Sequence, residues 1–213
     1  YISGDITAAY TDKVSEVRRS MLFMPTENEE VPAVFFVMDK INSAKASFKK
    51  TYLLQAYEEP SVEGNVVTLA RKSNNYTGAA VNQTLYPEVN IEPLGGEGRA
   101  WLVNGVNTPP YRTDANTTDF GWGRVEISPK KEQNLDYFMN VIYVCDTKNN
   151  TELQKAELIE TDELMGAQIL DKASLFAKSS ERPGNTMSFD ISGNEEMAVA
   201  VAGISSGEWK IKR

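Results

Sequence analysis

The chain contains no histidine, a single cysteine and no apolar run of the length needed to span a bilayer. Without histidine, these residues supply neither an imidazole base nor an imidazole metal ligand. The lone thiol, Cys145, cannot form an internal disulfide, so cysteine usage leaves the redox compartment open. Its apolar neighbours indicate a small buried side chain rather than a reactive thiol.

A net charge of −8 excludes non-specific attraction to nucleic acid or to an anionic membrane, so neither is expected as a partner. No segment repeats at a fixed period, which disfavours a propeller or a solenoid. No Gly/Ser or Pro linker divides the 213 residues. We therefore expect one continuous domain over residues 1–213, with a boundary near residue 148 as the alternative.

The hydrophobic pattern that is present has a period of two, which is typical of half-buried strands. Met187, Phe189 and Ile191 alternate with polar residues, and Trp209 and Ile211 alternate with lysines. The apolar runs 31–38 and 137–145 predict central strands, because both are short and rich in β-branched and aromatic residues.

Turn signals between these runs predict about a dozen strands. Helical turns are expected only within 130–135 and 150–155, and a long surface loop over 109–119. Four late strands are expected over 156–159, 166–170, 173–176 and from Met187 onward. The predicted fold class is all-β: a large antiparallel β-sandwich of stacked multi-stranded sheets with little helix.

The chain begins at Tyr1 within a predicted strand, and we expect it to be a C-terminal fragment of a longer precursor. Six segments in a fixed order then carry a resemblance. They are 1–10 (YISGDITAAY), 18–23 (RRSMLF), 32–40 (PAVFFVMDK), 48–54 (FKKTYLL), 121–129 (GWGRVEISP) and 136–144 (DYFMNVIYV). Their colinear order resembles the C-terminal β-domain of heparinase II/III-like polysaccharide lyases, and heparinase II most of all. The stretch 207–211 fits the expected end of that domain.

The resemblance implies a helical toroid upstream of stacked antiparallel sheets, with the substrate in the cleft between them. It implies cleavage of uronic-acid-containing polysaccharides by β-elimination, which requires a neutralised carboxylate, a base for the C5 proton and an acid for the leaving oxygen. In such lyases the tyrosine and histidines that transfer protons come chiefly from the toroid and from the segment just before this chain begins. No catalytic residue is therefore expected here, and the fragment alone is expected to be inactive.

The family's β-domain also implies a structural zinc, and here the chain departs from the pattern. Gln55 follows Tyr52-Leu-Leu where family members typically have histidine, and glutamine is a poor zinc ligand. We expect no metal and no cofactor. Asp5, which matches the family's metal-side aspartate, is then expected to be a structural or hydrogen-bonding residue.

Candidate substrate contacts lie near the start of the chain. Tyr10 would face the saccharide if the helical domain docks on this edge; otherwise it is an ordinary half-exposed strand tyrosine. Arg18–Arg19 with Lys49–Lys50 would form a cationic ledge for uronate or sulfate. Adjacent strand residues point to opposite faces, so only one of each pair, Arg19 in the first, would take part. The commoner explanation is solvated edge charge.

Among the tryptophans, Trp122 stands between two glycines and is the best candidate for stacking on a sugar, with core packing as the alternative. Trp101 and Trp209 are expected to be strand residues turned towards a core. Neither signal is specific enough to identify a sugar.

The leading hypothesis is the C-terminal β-sandwich region of a heparinase II/III-like lyase, forming one wall of the substrate cleft. Its expected partners are an acidic polysaccharide, in glycosaminoglycan degradation, and the missing N-terminal helical catalytic domain. The resemblance permits a homodimer and implies a periplasmic or secreted full-length protein. The alternative is a non-catalytic carbohydrate-binding or structural β-sandwich module.

Overall fold

The structure, a computed structural model, describes residues 1–71, 76–108, 121–148, 152–181, 183–193, 196–210 and 212. These residues form one 3₁₀ segment, Thr7–Lys13, and sixteen strands. The strands are β1 (Ile2–Asp5), β2 (Val14–Pro25), β3 (Ala33–Ser43), β4 (Tyr52–Ala56), β5 (Ser61–Glu63), β6 (Val66–Ala70), β7 (Gly78–Tyr86), β8 (Val89–Gly95), β9 (Leu102–Val103), β10 (Val106–Asn107), β11 (Gly123–Pro129), β12 (Leu135–Asp146), β13 (Glu157–Glu160), β14 (Leu164–Ile169), β15 (Lys172–Ala177) and β16 (Ala198–Ala202).

A seven-stranded sheet forms the middle of the molecule, in the order β1-β2-β3-β12-β7-β6-β5. The two apolar runs predicted as central strands are β3 and β12, and they pair with each other from Leu135 opposite Asn42 to Val144 opposite Ala33. That prediction is confirmed. Near-continuous apolar sequence suits these strands because both faces of the sheet are covered.

Two smaller sheets provide that cover. On one face, Phe36 and Val141 of the central sheet pack against Met165 and Phe176 of the four-stranded sheet β13-β14-β15-β16. On the other face, a second core joins the central sheet to the three-stranded sheet β4-β11-β8 through residues including Val37, Val67, Phe138, Tyr52 and Ile127. The predicted all-β fold of stacked sheets is therefore confirmed.

The four-stranded sheet is buried on its outer face as well. Leu164 and Leu175 lie there beneath Met187 and Phe189 from the segment that follows β15. That segment leads to β16, which pairs with β15 in parallel, whereas every other strand pair in the described residues is antiparallel.

Several local predictions are wrong. The alternating residues Met187–Ile191 form no strand; the fourth late strand is β16, at Ala198–Ala202. Trp209 lies outside any strand, as does Trp101, and Ile211 falls outside the described residues. Met187 and Phe189 are half-buried against the outer core, which an extended segment can achieve without strand pairing, while Ile191 is exposed.

The helical predictions are also corrected. Residues 130–134 form no helical turn and Leu135 begins β12, while the described part of 150–155 is not helical. The helical segment lies instead at Thr7–Lys13, where Tyr10 was expected in a strand. The predicted loop over 109–119 lies outside the described residues. Across the described part of the chain, no helix has the length and apolar content to cross a membrane.

Candidate substrate-binding surface

Arg19 is held in place by Asp39 on the neighbouring strand. The two residues are direct partners in the β2–β3 register, and the guanidinium Nε and Nη2 each donate a 2.6 Å hydrogen bond to one carboxylate oxygen. The Asp39 side chain is buried, while that of Arg19 remains 43% exposed. A bidentate pair of this kind fixes the orientation of the guanidinium plane, because both hydrogen bonds must be kept together.

Two tyrosines surround this ion pair. The Arg19 guanidinium carbon lies 5.2 Å from the ring centre of Tyr52, in cation–π range. Tyr10, 48% exposed, lies close enough to contribute to the pKa of Arg19, which is raised mainly by the hydrogen bonds that Arg19 donates to Asp39. Burial, which outweighs the opposing effect of Arg19, raises the pKa of Tyr52 to about 12. The structure thus places Tyr10 within electrostatic range of Arg19, which itself contacts Asp39 and Tyr52.

This cluster is suited to binding rather than to proton transfer. One edge of the Arg19 guanidinium is occupied by Asp39, and the exposed remainder can donate hydrogen bonds to a sugar hydroxyl or carboxylate. The Asp39 carboxylate reduces the net charge that an approaching anion meets. The cluster therefore offers directional hydrogen bonds and little net positive field.

Trp122 lies elsewhere. Its backbone N–H donates to the carbonyls of Ala56 and Tyr57 at 3.0 and 2.8 Å, at the far end of β4 from Tyr52. Four residues of strand correspond to roughly 13 Å. Its indole packs on Gly95, where an added Cβ would lie 2.2 Å from Cε3. The half-buried side chain is thus packed on backbone, and it does not join Tyr10 and Arg19.

The other members of the predicted ledge each lie near carboxylates, but only the two lysines are within hydrogen-bond distance of one. Lys49 Nζ lies 2.9 Å from Glu126, and Lys50 Nζ lies 2.8 Å from the buried Asp136. Arg18, on the opposite face from Arg19, lies 3.6–3.8 Å from two carboxylates. The four cations therefore do not form a continuous positive surface.

The tyrosines and the cysteine with clearly shifted pKa values all move in one direction. Burial is the largest cause in each case, and it raises the pKa of Tyr52, Tyr86, Tyr137, Tyr143 and Cys145. A general acid or base that works near neutral pH needs a pKa close to 7. These shifts lead away from that range.

The residues matching the family's zinc site do not fit a histidine-ligated metal. The chain has no histidine, and Gln55 occupies an exposed position in β4 opposite Arg124. Asp5 Oδ1 instead accepts hydrogen bonds from the backbone N–H and the hydroxyl of Thr7, at 3.0 and 2.6 Å. These bonds lower the pKa of Asp5 and brace the turn into the 3₁₀ segment. Within the described ranges, no three His, Cys, Asp or Glu side chains are grouped so as to hold a metal ion.

Sequence reasoning missed Asp39 and Tyr52. Both lie inside quoted segments, 32–40 and 48–54, but neither was selected as a site residue. The available signal was the β2–β3 hairpin, which indicates that the two strands pair but leaves their register open by one residue.

Comparison with known protein families matches one part of the chain. The molecule is an all-β protein of stacked antiparallel sheets, and residues 158–213 match the family model described as the heparinase II C-terminal domain. The predicted resemblance to a heparinase II-like C-terminal domain is confirmed on this segment. The match covers about a quarter of the chain and does not include residues 1–145, where the resemblance was first recognised. A search of curated proteins finds no match.

Proposed function

We propose that this chain is the C-terminal β-sheet region of a heparinase II/III-like lyase, which cleaves a uronic-acid-containing polysaccharide by β-elimination. In this proposal the chain forms one wall of the substrate cleft, and a helical partner segment carries the proton-transfer groups. The observation that carries the proposal is the match of residues 158–213 to the heparinase II C-terminal domain.

The contacts of that segment support a bracing role. Its sheet shares a core with the central sheet, and Tyr137 on β12 donates a 3.4 Å hydrogen bond to the Lys178 carbonyl. Lys178 Nζ in turn lies 2.8 Å from Glu160 on β13. These contacts join the matched segment to the sheet that carries Arg19, so the position of one depends on the other.

The chemistry of the described side chains supports inactivity of the chain alone. β-Elimination at a uronate carbon requires a base and an acid placed on the sugar. The chain has no imidazole, and the phenols with shifted pKa values are harder to deprotonate than in water. Arg19 and Tyr10 would contact the polysaccharide without exchanging protons with it.

The setting of the longer protein is part of the proposal. Degradation of an acidic polysaccharide outside the cytoplasm requires a periplasmic or secreted enzyme, because such polymers do not cross membranes freely. A homodimer is compatible with this function, and no cofactor is required by it.

The test compares the 213-residue chain with the longer protein proposed to carry it. Both are incubated with heparan-type, chondroitin-type and alginate-type polymers, and unsaturated uronate products are followed by ultraviolet absorbance. We expect products only from the longer protein. Activity of the chain alone would overturn the division of labour, and inactivity of the longer protein on every uronate polymer would overturn the lyase assignment.

Variants of the longer protein test the cleft wall itself. Arg19→Gln is expected to raise KM several-fold with little change in kcat, because the residue binds ground state and transition state alike. Arg99→Gln, which removes an exposed arginine from the turn after β8, is the matched control. An equal loss of kcat and kcat/KM in Arg19→Gln would instead place Arg19 in the transition state.

A carbohydrate-binding module without catalysis is the second candidate, favoured by one surface feature. The Arg71 guanidinium carbon lies 4.0 Å from the ring centre of Tyr57 and 4.7 Å from that of Tyr76, and both tyrosines are about half exposed. Exposed aromatic faces stack on sugar rings. Retained glycan binding by an inactive longer protein, lost in Tyr57→Ala, would favour this candidate over the lyase.

A further inference from the structure

A groove of about 420 Å³ lies between the N-terminal strands and the four-stranded sheet. This volume falls in the range of about 300–1,000 Å³ that is typical of small-molecule sites. One wall comes from β1 and β2, and the other from the ends of β15 and β16 within the matched segment. Its polar lining residues are Ser3, Arg18, Ser20, Ser179 and Ser180.

Arg18 enters this groove with hydrogen-bonding capacity unused. Its Nη2 lies 3.8 Å from Asp5 and its Nε lies 3.6 Å from Glu16, and both distances exceed hydrogen-bond range. The Nε atom is buried and faces Glu16 Oε1, and neither atom has a hydrogen-bond partner in the described residues, so the donors available to a ligand are the Nη groups. Arg19, one residue later, makes two such bonds at 2.6 Å. A guanidinium in this state gains from a new acceptor, because its N–H groups are already partly removed from water.

The charges around Arg18 leave room for an anion. Lys40 Nζ lies 2.8 Å from Glu16 Oε2, so one oxygen of this carboxylate has a closer cation, while Oε1 faces Arg18 Nε. Asp5 is more than half exposed and accepts two hydrogen bonds from Thr7, which reduces its field at the groove. Among the described lining residues there is one cation and no carboxylate.

Serine hydroxyls complete the polar lining on both walls. Ser3 Oγ and Ser20 Oγ lie 3.0 Å apart, so one hydroxyl proton is committed to the pair and the other can point into the groove. Ser179 Oγ accepts from the backbone N–H of Glu181 at 3.1 Å, which leaves its own proton free to donate. The exposed ring of Tyr1 stands at the side as an apolar surface.

We propose that this groove binds the sulfate or carboxylate of an acidic sugar unit, with the Arg18 guanidinium as the anchor and the serine hydroxyls around it. The sugar ring lies against Tyr1. The identity of the ligand as a saccharide rests on the proposed function, whereas the oxyanion chemistry rests on the groove. The matched C-terminal segment thereby supplies one wall of a binding site in addition to its bracing role.

Isothermal titration calorimetry of the whole chain tests this site with three probes: a sulfated uronate disaccharide, its unsulfated counterpart and inorganic sulfate. We expect the sulfated disaccharide to bind more tightly than either of the others. Arg18→Gln should lower its affinity about 10- to 100-fold, since a hydrogen bond to a charged group is worth about 1.5–3 kcal/mol. Arg18→Lys keeps the charge but loses the planar set of guanidinium donors, so its affinity should fall between those of the parent chain and of Arg18→Gln.

A second variant guards against misfolding of the first. Ser180→Leu narrows the groove from an exposed position and should also weaken binding, with an unchanged thermal midpoint. Arg99→Gln removes the same charge elsewhere and should bind as the parent does. Unchanged affinity in both Arg18→Gln and Ser180→Leu, or no binding to the parent chain, overturns the proposal. Equal affinity for inorganic sulfate and the disaccharide overturns its saccharide part.

The two proposals fail separately. A groove that binds the disaccharide in a longer protein without lyase activity keeps this inference and removes the lyase assignment. The opposite outcome is a longer protein that is active, whose rate and KM are unaffected by Arg18→Gln, and whose groove binds no disaccharide. It keeps the lyase assignment and removes this inference.

Discussion

Lys50 and Asp136 form an ion pair between layers of the molecule, with Nζ 2.8 Å from Oδ2 and side chains only 7% and 0% exposed. Lys50 Nζ also donates to the Gln133 carbonyl, and Gln133 Nε2 donates a 2.8 Å bond to Asp136 Oδ1. The pair thereby ties the connection before β4 to the start of β12. The folded state is destabilised less when both partners of a buried ion pair are replaced than when only one is.

Lys50→Met should therefore destabilise the chain by about 3–5 kcal/mol, because it leaves the Asp136 carboxylate buried and unpaired. The double variant Lys50→Met with Asp136→Leu should recover a large part of that loss. Chemical denaturation measures both, and Lys130→Met, at an exposed pair 3.9 Å long, is the control with an effect below about 0.5 kcal/mol. A double variant as unstable as the sum of its single changes would argue against coupling.

Gly166 lies so close to the backbone of β15 that no side chain fits at this position. A Cβ there would lie 2.0 Å from the Ser174 carbonyl oxygen and 2.7 Å from Leu175 Cα, both backbone atoms that cannot move without opening the β14–β15 pair. Gly166→Ala should cost about 1–3 kcal/mol or more. Gly78→Ala, at the start of β7 with nothing within 4 Å of the new atom, should be neutral or slightly stabilising. Equal thermal midpoints for the two variants would contradict this view of the sheet.

Tyr52 should make the fold sensitive to alkali. Its pKa of about 12 in the folded chain exceeds the usual value of 10, so the unfolded chain releases the proton first as pH rises. The stabilisation is complete below pH 10 and disappears as pH approaches 12, a loss of about 2–3 kcal/mol. Tyr52→Phe keeps the ring and removes the titration, so its unfolding free energy should fall less over the same interval. Parallel curves for parent and variant would rule out this residue as the cause.

Alternate side chains of the segment over the outer face of the four-stranded sheet should contribute differently to stability. Changing Phe189, half-buried against the outer core, to alanine should lower the free energy of unfolding by about 2–3 kcal/mol, somewhat less than for a fully buried phenylalanine. Changing Ile191, which is exposed, to alanine should lower the free energy of unfolding by well under 1 kcal/mol. Urea unfolding distinguishes the two, and a reversed order would mean that the segment packs through its other face.

The central layer could be predicted from the sequence because β3 and β12 are apolar on both faces, and only a doubly covered strand combines that composition with that length. The late segment 187–191 could not. Alternation reports which side chains are buried, and it is the same whether the backbone pairs with a neighbour or only lies across it. Tyr10 was misplaced for a related reason: a 3₁₀ segment with a positive φ at Thr11 leaves no periodic signal over so few residues.

The Arg19–Asp39 pair shows what the candidate site required beyond composition. The acidic stretch Glu27–Glu30 lies in the connection between β2 and β3, and a hairpin centred on it would place Arg19 opposite Met38. The actual register places Asp39 there, one residue further along. A shift of one residue exchanges the two faces of a strand, so the motif could be read while its partner could not.

The parallel pairing of β15 with β16 has a consequence for the final step of assembly. All six residues of β15 are buried, and its outer backbone groups are satisfied by five residues that follow a connection of twenty. A chain that stopped ahead of Ala198 would expose an unfilled ladder of amides flanked by apolar side chains, ready to recruit the same strand from another molecule. The five residues of β16 therefore cover the backbone edge of a fully buried strand and take over the edge position themselves.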